Sequence, residues 1–262
     1  MTEKTIETSL IDGIARIVMS RPEVRNAFNE DMIAEIHHAV SGYTQDTDVR
    51  MIVITGEGTV FSAGADIEWM RKMGNVGFDD NYQDALKLAN MLDCIHECSK
   101  PTIARVNGPA IGGGTGLVAA CDIAIGISSA FFSFSEVKIG LVPACIGPYV
   151  IKRVGQSTAG ELFITGRRID ADEARQIGLL NYTVDDAEIE SKLFDLTESI
   201  MGSSPIAIAE AKKLIREVPD QTREQYIDFT ARMIAELRTG KEGKEGTAAF
   251  LEKRKPSWVK FK

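Results

Sequence analysis

The chain has few of the residues that ligate metals or attack carbonyl groups. Its 262 residues include three histidines, His37, His38 and His96, and four cysteines, Cys94, Cys98, Cys121 and Cys145. Cys94 and Cys98 stand one helical turn apart, but no second ligand pair follows at zinc-site spacing. No metal site is expected, and the thiols read as reduced and mostly buried. His37 and His38 fall in a helical pattern, as surface residues of a helix. There is no Gly-x-Ser-x-Gly elbow, which sets aside a serine hydrolase. There is no Walker lysine loop. Gly112, Gly113, Gly114 and Gly116 miss the dinucleotide spacing, because Leu117 and Ala119 stand where the last glycine would fall. Nucleotide-dependent oxidoreductases and kinases are therefore excluded. Positive charge is also short. A net charge of -8 argues against a nucleic-acid partner. No apolar run approaches membrane-spanning length. The opening Met1-Thr-Glu-Lys-Thr has neither a signal-type apolar region nor an Arg-rich amphipathic leader, so a cytoplasmic protein without a membrane partner is expected.

What is present is an ordinary globular composition, 44% hydrophobic and 26% charged. The length suits one large domain, or one with a small appendage. Thr5–Leu10 and Ile14–Met19 read as strands of a hairpin turned at Asp12-Gly13. Asn29 is placed to cap a helix from Glu30 to about Tyr43, with Ile33, Ile36 and Val40 on its apolar stripe. Met51–Thr55 reads as a strand buried on both faces. A small-residue loop, Gly56 to Asp66, leads into a helix at Ile67–Met73. Trp69, Met70 and Met73 suit the lining of an acyl pocket and equally suit a core. Gly74–Asp80 reads as a mobile loop. The next helix carries Ala85, Leu88, Leu92 and Ile95. Asp122–Ile127 and Phe131–Phe134 read as strands. Helices follow over Tyr149–Val154, from a cap at Ser157 or Thr158 to Gly166, and from Asp170 to Gly178, with a last strand at Asn181–Val184. Beyond that the chain reads as helical, with Ser204-Pro205 a start signal and Thr239–Gly246 a glycine-broken interruption.

Two stretches carry the chemistry. Pro101–Val106, then Asn107-Gly108 and Gly112-Gly113-Gly114, then Leu117–Cys121, read as strand, glycine turn and helix. Glycines let the backbone pass close to a ligand, and a helix start offers free N–H groups, so the natural guest is an anion or an oxygen becoming one. The second stretch puts Glu136 among Phe131, Phe132, Phe134 and Val137, where desolvation raises a carboxyl pKa and suits a proton carrier. Glycine triplets also serve tight packing alone, and a glutamate beside a strand also serves as a solvated edge.

Several motifs occur in a fixed order: Arg21-Pro22, Asn26-Ala27-Phe28, Phe61-Ser-Ala-Gly-Ala-Asp-Ile67, Asn107-Gly108 with the glycine triplet, Cys121-Asp122, Phe134–Leu141, Thr165-Gly166 and Phe250–Pro256. The set resembles the enoyl-CoA hydratase/isomerase (crotonase) superfamily from about residue 5 to the C-terminus. The resemblance implies an α/β fold: a spiral of strand-strand-helix turns over 1–185, with a C-terminal helical region over 186–262 that assembles trimers, often paired into hexamers. It implies an acyl-CoA thioester as substrate and no separate cofactor, since coenzyme A arrives as part of the substrate. It places the oxyanion-holding N–H groups at Ala65 and Gly113, and the proton carrier at Glu136. It assigns coenzyme A contacts to Arg25, Ala27, Ala65, Asp66, Ile67, Phe250 and Lys253; Arg25 and Lys253 read equally well as solvated surface cations. Hydratases of the family carry a second glutamate, and Gly116 occupies that position here. Ser135–Tyr149 resembles bacterial methylglutaconyl-CoA hydratase-like members. Three activities remain: hydration at C2–C3, Δ3–Δ2 isomerisation with a single glutamate, and thioester binding without turnover.

Overall fold

Asp12 and Gly13 both adopt positive φ, 50° and 80°, the geometry of a tight hairpin turn. They join β1 (Ile6–Ile11) to β2 (Ile14–Met19), paired antiparallel from Ile6↔Met19 to Ile11↔Ile14. The structure is a computed structural model that describes residues 4–259. Pro22 opens a 3₁₀ turn, Pro22–Val24, and the chain leaves it through Arg25 and Asn26, both left-handed. The Asn29 side chain accepts the Met32 N–H at 2.9 Å and starts α1 (Glu30–Gln45), which buries Met32, Ile33, Ile36 and Val40. β3 (Met51–Gly56) is buried at every position, as expected of a strand covered on both faces.

Asp66 caps α2 (Ile67–Met73), and α3 (Phe78–Glu97) follows. The expected mobile loop Gly74–Asp80 is shorter than its composition suggests. The helix already begins at Phe78, and the Asn81 side-chain amide donates to the carbonyls of Met73, Val76 and Gly77 at 3.0, 3.2 and 3.0 Å. Next come β4 (Thr102–Val106), β5 (Ala110–Ile111), α4 (Gly113–Ala120), β6 (Ile123–Ile127) and β7 (Phe131–Ser133). After a 3₁₀ turn at Glu136–Ile139 the chain forms α5 (Gly147–Val154), α6 (Gln156–Thr165), β8 (Arg168–Asp170), α7 (Ala171–Gln176) and β9 (Tyr182–Val184). α6 starts one residue before the expected Ser157 cap, behind Gly155 in a positive-φ conformation and with no side-chain cap. β5 and β8 are too short to leave a periodic signal in sequence.

The strands form two sheets. The larger has the order β1-β2-β3-β4-β6-β9 and is parallel from β2 onward. The smaller has the order β5-β7-β8, with β5 parallel and β8 antiparallel to β7. Parallel neighbours need crossover connections, and α1, the α2–α3 pair and α4 supply them. Ile17, Met19, Phe28, Phe61, Phe132 and Phe134 are among the fully buried core side chains.

The chain separates into two compact units, one holding the residues up to Cys98 with Thr102–Leu193, the other Ser99–Pro101 with the residues from Phe194 onward. α8 (Ile189–Met201) begins in the first unit and ends in the second, where α9 (Pro205–Glu217) follows, started by the Ser204 side chain, which accepts the Ala207 N–H at 3.0 Å. A capping box at Thr222 and Gln225 starts α10 (Arg223–Thr239), and α11 (Lys241–Leu251) follows. The expected interruption at Thr239–Gly246 shrinks to Gly240. Gly243 and Gly246 lie inside α11, where they permit contact with the Leu237 backbone and with the Trp258 ring. Among the described residues no helix is long and apolar enough to cross a membrane.

Candidate active site

Two loops at the exits of β2 and β3 are stitched together by a buried asparagine. Asn26 Oδ1 accepts the Arg21 N–H at 3.0 Å, and its Nδ2 donates to the carbonyls of Glu57 and Val60 at 2.9 and 2.8 Å. Ser62 Oγ donates to the Asn26 carbonyl at 2.8 Å, and the Ala63 N–H donates to the Arg25 carbonyl at 2.9 Å. The Phe28 N–H then donates to Gly64 O at 2.6 Å, and the Asp66 N–H to Phe28 O at 2.8 Å. This parallel bridge between Phe28 and Ala65 uses the groups on either side of Ala65. The Ala65 N–H has no protein acceptor among the described residues, and Ala65 itself is exposed.

The glycine turn lies against that loop. Gly112 has φ 52° and ψ -119°, a conformation suited to glycine. Its N–H donates to Ser133 O at 2.8 Å. α4 begins one residue later at Gly113, not at Leu117 as the apolar run suggested. The Gly113 N–H is therefore one of the helix-start donors without an intrahelical partner, and among the described residues it has no other protein acceptor. Gly64, at φ 87°, brings the two segments together: a Cβ on it would stand 2.7 Å from Ile111 O and 3.6 Å from Gly113 N. The free N–H groups of Ala65 and Gly113 thus belong to neighbouring backbone segments.

Glu136 is delivered to the same place by the small sheet. β5 and β7 pair through Ala110↔Phe132 and Ile111↔Ser133, and the Gly112–Ser133 bond extends that register. Glu136 Oε1 lies 3.1 Å from the point where a Gly112 Cβ would be. Oε2 is buried and has no hydrogen-bond partner among the described residues. Desolvation raises the pKa of this carboxyl above the ordinary glutamate value, opposed more weakly by a hydrogen bond from its own backbone. The neighbouring phenylalanines anchor the segment. Phe132 is in the core, Phe134 meets Phe163 edge-on at 5.2 Å, and Phe131 lies under Arg168 at 4.5 Å.

These groups line a cavity of about 710 Å³, within the range of small-ligand sites. Trp69, Met70 and Met73 are half-buried and form part of its wall. Ala65, Gly113 and Glu136 line it too. Arg25 is exposed beside this loop pair. Ala27 is buried, and its carbonyl accepts from Arg21 Nη1 at 2.8 Å. The Asp66 carboxylate is already engaged: it pairs with Arg21 Nη2 at 2.8 Å and accepts the Glu68 N–H at 2.8 Å. Burial pushes the Asp66 pKa up, but the hydrogen bonds from Arg21, Glu68 and Trp69 more than offset this and hold it below the usual value. Ile67 is exposed. Phe250 and Lys253 belong to the C-terminal unit, Phe250 exposed on α11 and Lys253 left-handed just after it.

Among the wall residues that sequence reasoning missed, two stand out. Ile146 is buried against Gly116. Asp84 is 8% exposed on α3, lines the cavity, and accepts a hydrogen bond from Trp69 Nε1 at 3.3 Å. A signal for Asp84 was available. It lies in phase with Met91, Leu92 and Ile95 on the buried face of α3, an unusual place for an acid.

Two N–H groups without protein acceptors among the described residues suit an oxygen that gains negative charge, and a desolvated carboxyl on the same cavity suits proton exchange. That chemistry belongs to enzymes acting on acyl thioesters. Residues 10–260 match the family model described as "Enoyl-CoA hydratase/isomerase", and the chain belongs to that family. It is 33% identical over 243 residues to a putative enoyl-CoA hydratase of Thermus thermophilus, covering 93% of this chain and 96% of the relative. Its structure is similar to a putative enoyl CoA hydratase/isomerase (crotonase) from Legionella pneumophila, with a TM-score of 0.92, 38% identity and coverage of 98% and 100%. It is also similar to an enoyl-CoA hydratase from Shewanella pealeana, with a TM-score of 0.94, 35% identity and coverage of 97% and 96%. The strand-helix units and helical C-terminal region are those of the crotonase fold.

Proposed function

We propose that the protein adds water across the C2–C3 double bond of a 2-enoyl-CoA thioester, and removes it in reverse. The observation that carries this reading is the buried, unpartnered Glu136 Oε2 beside the Gly112–Gly113 turn. The N–H groups of Ala65 and Gly113 hold the thioester oxygen as it gains enolate charge. Glu136, whose protonated form desolvation favours, gives its proton to C2. Trp69, Met70 and Met73 enclose the acyl chain. Among the described residues the walls of the cavity include no lysine or arginine, and Glu136 and Asp84 are the acids among them. This supports an uncharged acyl chain, linear or branched, over a methylglutaconyl-type chain that would bring a second carboxylate among acids. Arg25, Ala27, Asp66 and Ile67 provide the loop that meets coenzyme A.

Isomerisation is the second reading, favoured by one observation: Ile146 fills the position beside Gly116 where a second carboxylate would act. A single glutamate suffices to take a proton from C2 and return it at C4. Incubation with crotonyl-CoA and with a 3-enoyl-CoA, following each product, separates the two. Hydration of crotonyl-CoA supports the proposal. Conversion of the 3-enoyl substrate alone overturns it in favour of isomerisation.

A further inference from the structure

We propose that Asp84 holds and deprotonates the attacking water, a task for which Gly116 supplies no carboxylate; this inference rests on the hydratase reading above. Asp84 and Glu136 are the two acids lining the cavity. Asp84 is nearly fully buried, yet among the described residues its side-chain hydrogen-bond partner is a neutral indole N–H, on Trp69 at 3.3 Å. A buried carboxylate carries acceptor capacity for several donors, and one indole leaves part of it for a small guest.

Its position is tied to the missing glutamate through a short chain of contacts. Cys145 Sγ lies 3.7 Å from the carbonyl of Ala85, the residue after Asp84. The residue after Cys145 is Ile146, whose side chain covers Gly116. Desolvation raises the Cys145 thiol pKa, and the charge of Asp84 adds to the rise. The acid is thus within electrostatic reach of the segment that covers Gly116. Where Gly116 on α4 offers no carboxylate, Asp84 on α3 brings one to the cavity.

The step balances as follows. The oxygen of the Asp84-bound water bonds to C3, and one of its protons passes to Asp84. The π pair of C2=C3 shifts to form the enolate held by Ala65 and Gly113. The enolate collapses as C2 takes the proton of Glu136. The proton on Asp84 leaves to solvent, and Glu136 takes one back.

Asp84→Asn is the test, because the amide oxygen still accepts from Trp69 while the base is lost. Two readouts are needed: hydration of crotonyl-CoA, and exchange of the C2 proton of butyryl-CoA in D₂O, which needs Glu136 but no water addition. Hydration is expected to fall roughly a hundredfold or more, with exchange and KM changed less than about threefold. Unchanged hydration overturns the proposal, and so does an equal loss of both readouts, which marks a structural role. If Asp84→Asn does not fold, Asp84→Ser, smaller and with a hydroxyl oxygen that can still accept from Trp69, is read in the same two assays, and a loss confined to hydration is again required. Glu136→Gln run alongside separates the two layers. If it keeps both activities, the hydratase mechanism fails; if it loses both while Asp84→Asn loses neither, only the role of Asp84 fails.

Discussion

Ile146 fills the space into which any side chain at Gly116 would grow; a Cβ on the glycine would overlap the isoleucine side chain. Both residues are buried, and in this family the glycine position is where hydratases commonly carry a glutamate. A small and a large residue thus fit together across α4 and the residue before α5. Gly116→Glu alone is therefore expected to overpack the site, costing about 1–3 kcal/mol and lowering the melting temperature. Gly116→Glu with Ile146→Ala should recover part of that loss, because contacting sites are not additive. Equal melting temperatures for the single variant and the parent would contradict the packing described.

Gly113 is the first residue of α4, a position that tolerates proline. Gly113→Pro removes the N–H with little other disturbance to the helix, and turnover is expected to fall by roughly two orders of magnitude or more. The control is Gly113→Ala, which keeps the N–H while its Cβ approaches the Phe28 ring at 3.1 Å. It should lose much less. A folded proline variant with normal turnover would remove Gly113 from the site.

Much of this was legible in sequence, for physical reasons that differ from residue to residue. The Asp12-Gly13 hairpin, the Asn29 and Ser204 caps and the doubly buried β3 all follow from local chemistry, and each stands where that chemistry put it. The glycine triplet and Glu136 were visible as residue types, and the ordered motifs supplied their pairing. What stayed hidden depends on contacts distant along the chain. Gly243 and Gly246 look like helix breakers until Leu237 and Trp258 are seen against them. Ile146 is unremarkable in sequence and acquires meaning only opposite Gly116. Asp84 sat on an apolar stripe, but its neighbour Trp69 lies in a different helix.

The raised Glu136 pKa gives a pH dependence with a definite sign. The folded state prefers the protonated acid, so the cost of burying the charge is absent below the unfolded value near 4.5 and grows as pH rises through the folded value. Glu136→Gln removes that cost. Its melting temperature relative to the parent should rise between pH 4 and pH 8. A difference that stays constant or shrinks would contradict the desolvation of Glu136.

The C-terminal unit exposes Ile206, Ile215, Ile227, Ile234, Phe250 and Leu251, more large apolar side chains than a solitary helical layer ordinarily leaves in water. We propose that these faces are covered in a homotrimer or homohexamer. Sedimentation at micromolar concentration should give a trimer or hexamer mass, and a monomer would contradict the assembly.

The central claim is that Glu136 carries the proton to and from C2. Glu136→Gln keeps the size and a hydrogen-bonding head but has no proton to exchange. The decisive measurement is its rate of crotonyl-CoA hydration at saturating substrate, alongside its affinity for the thioester. A loss of at least about a hundredfold in rate with affinity nearly unchanged is expected. Undiminished turnover in a folded Glu136→Gln enzyme would contradict the mechanism and place the proton transfer elsewhere.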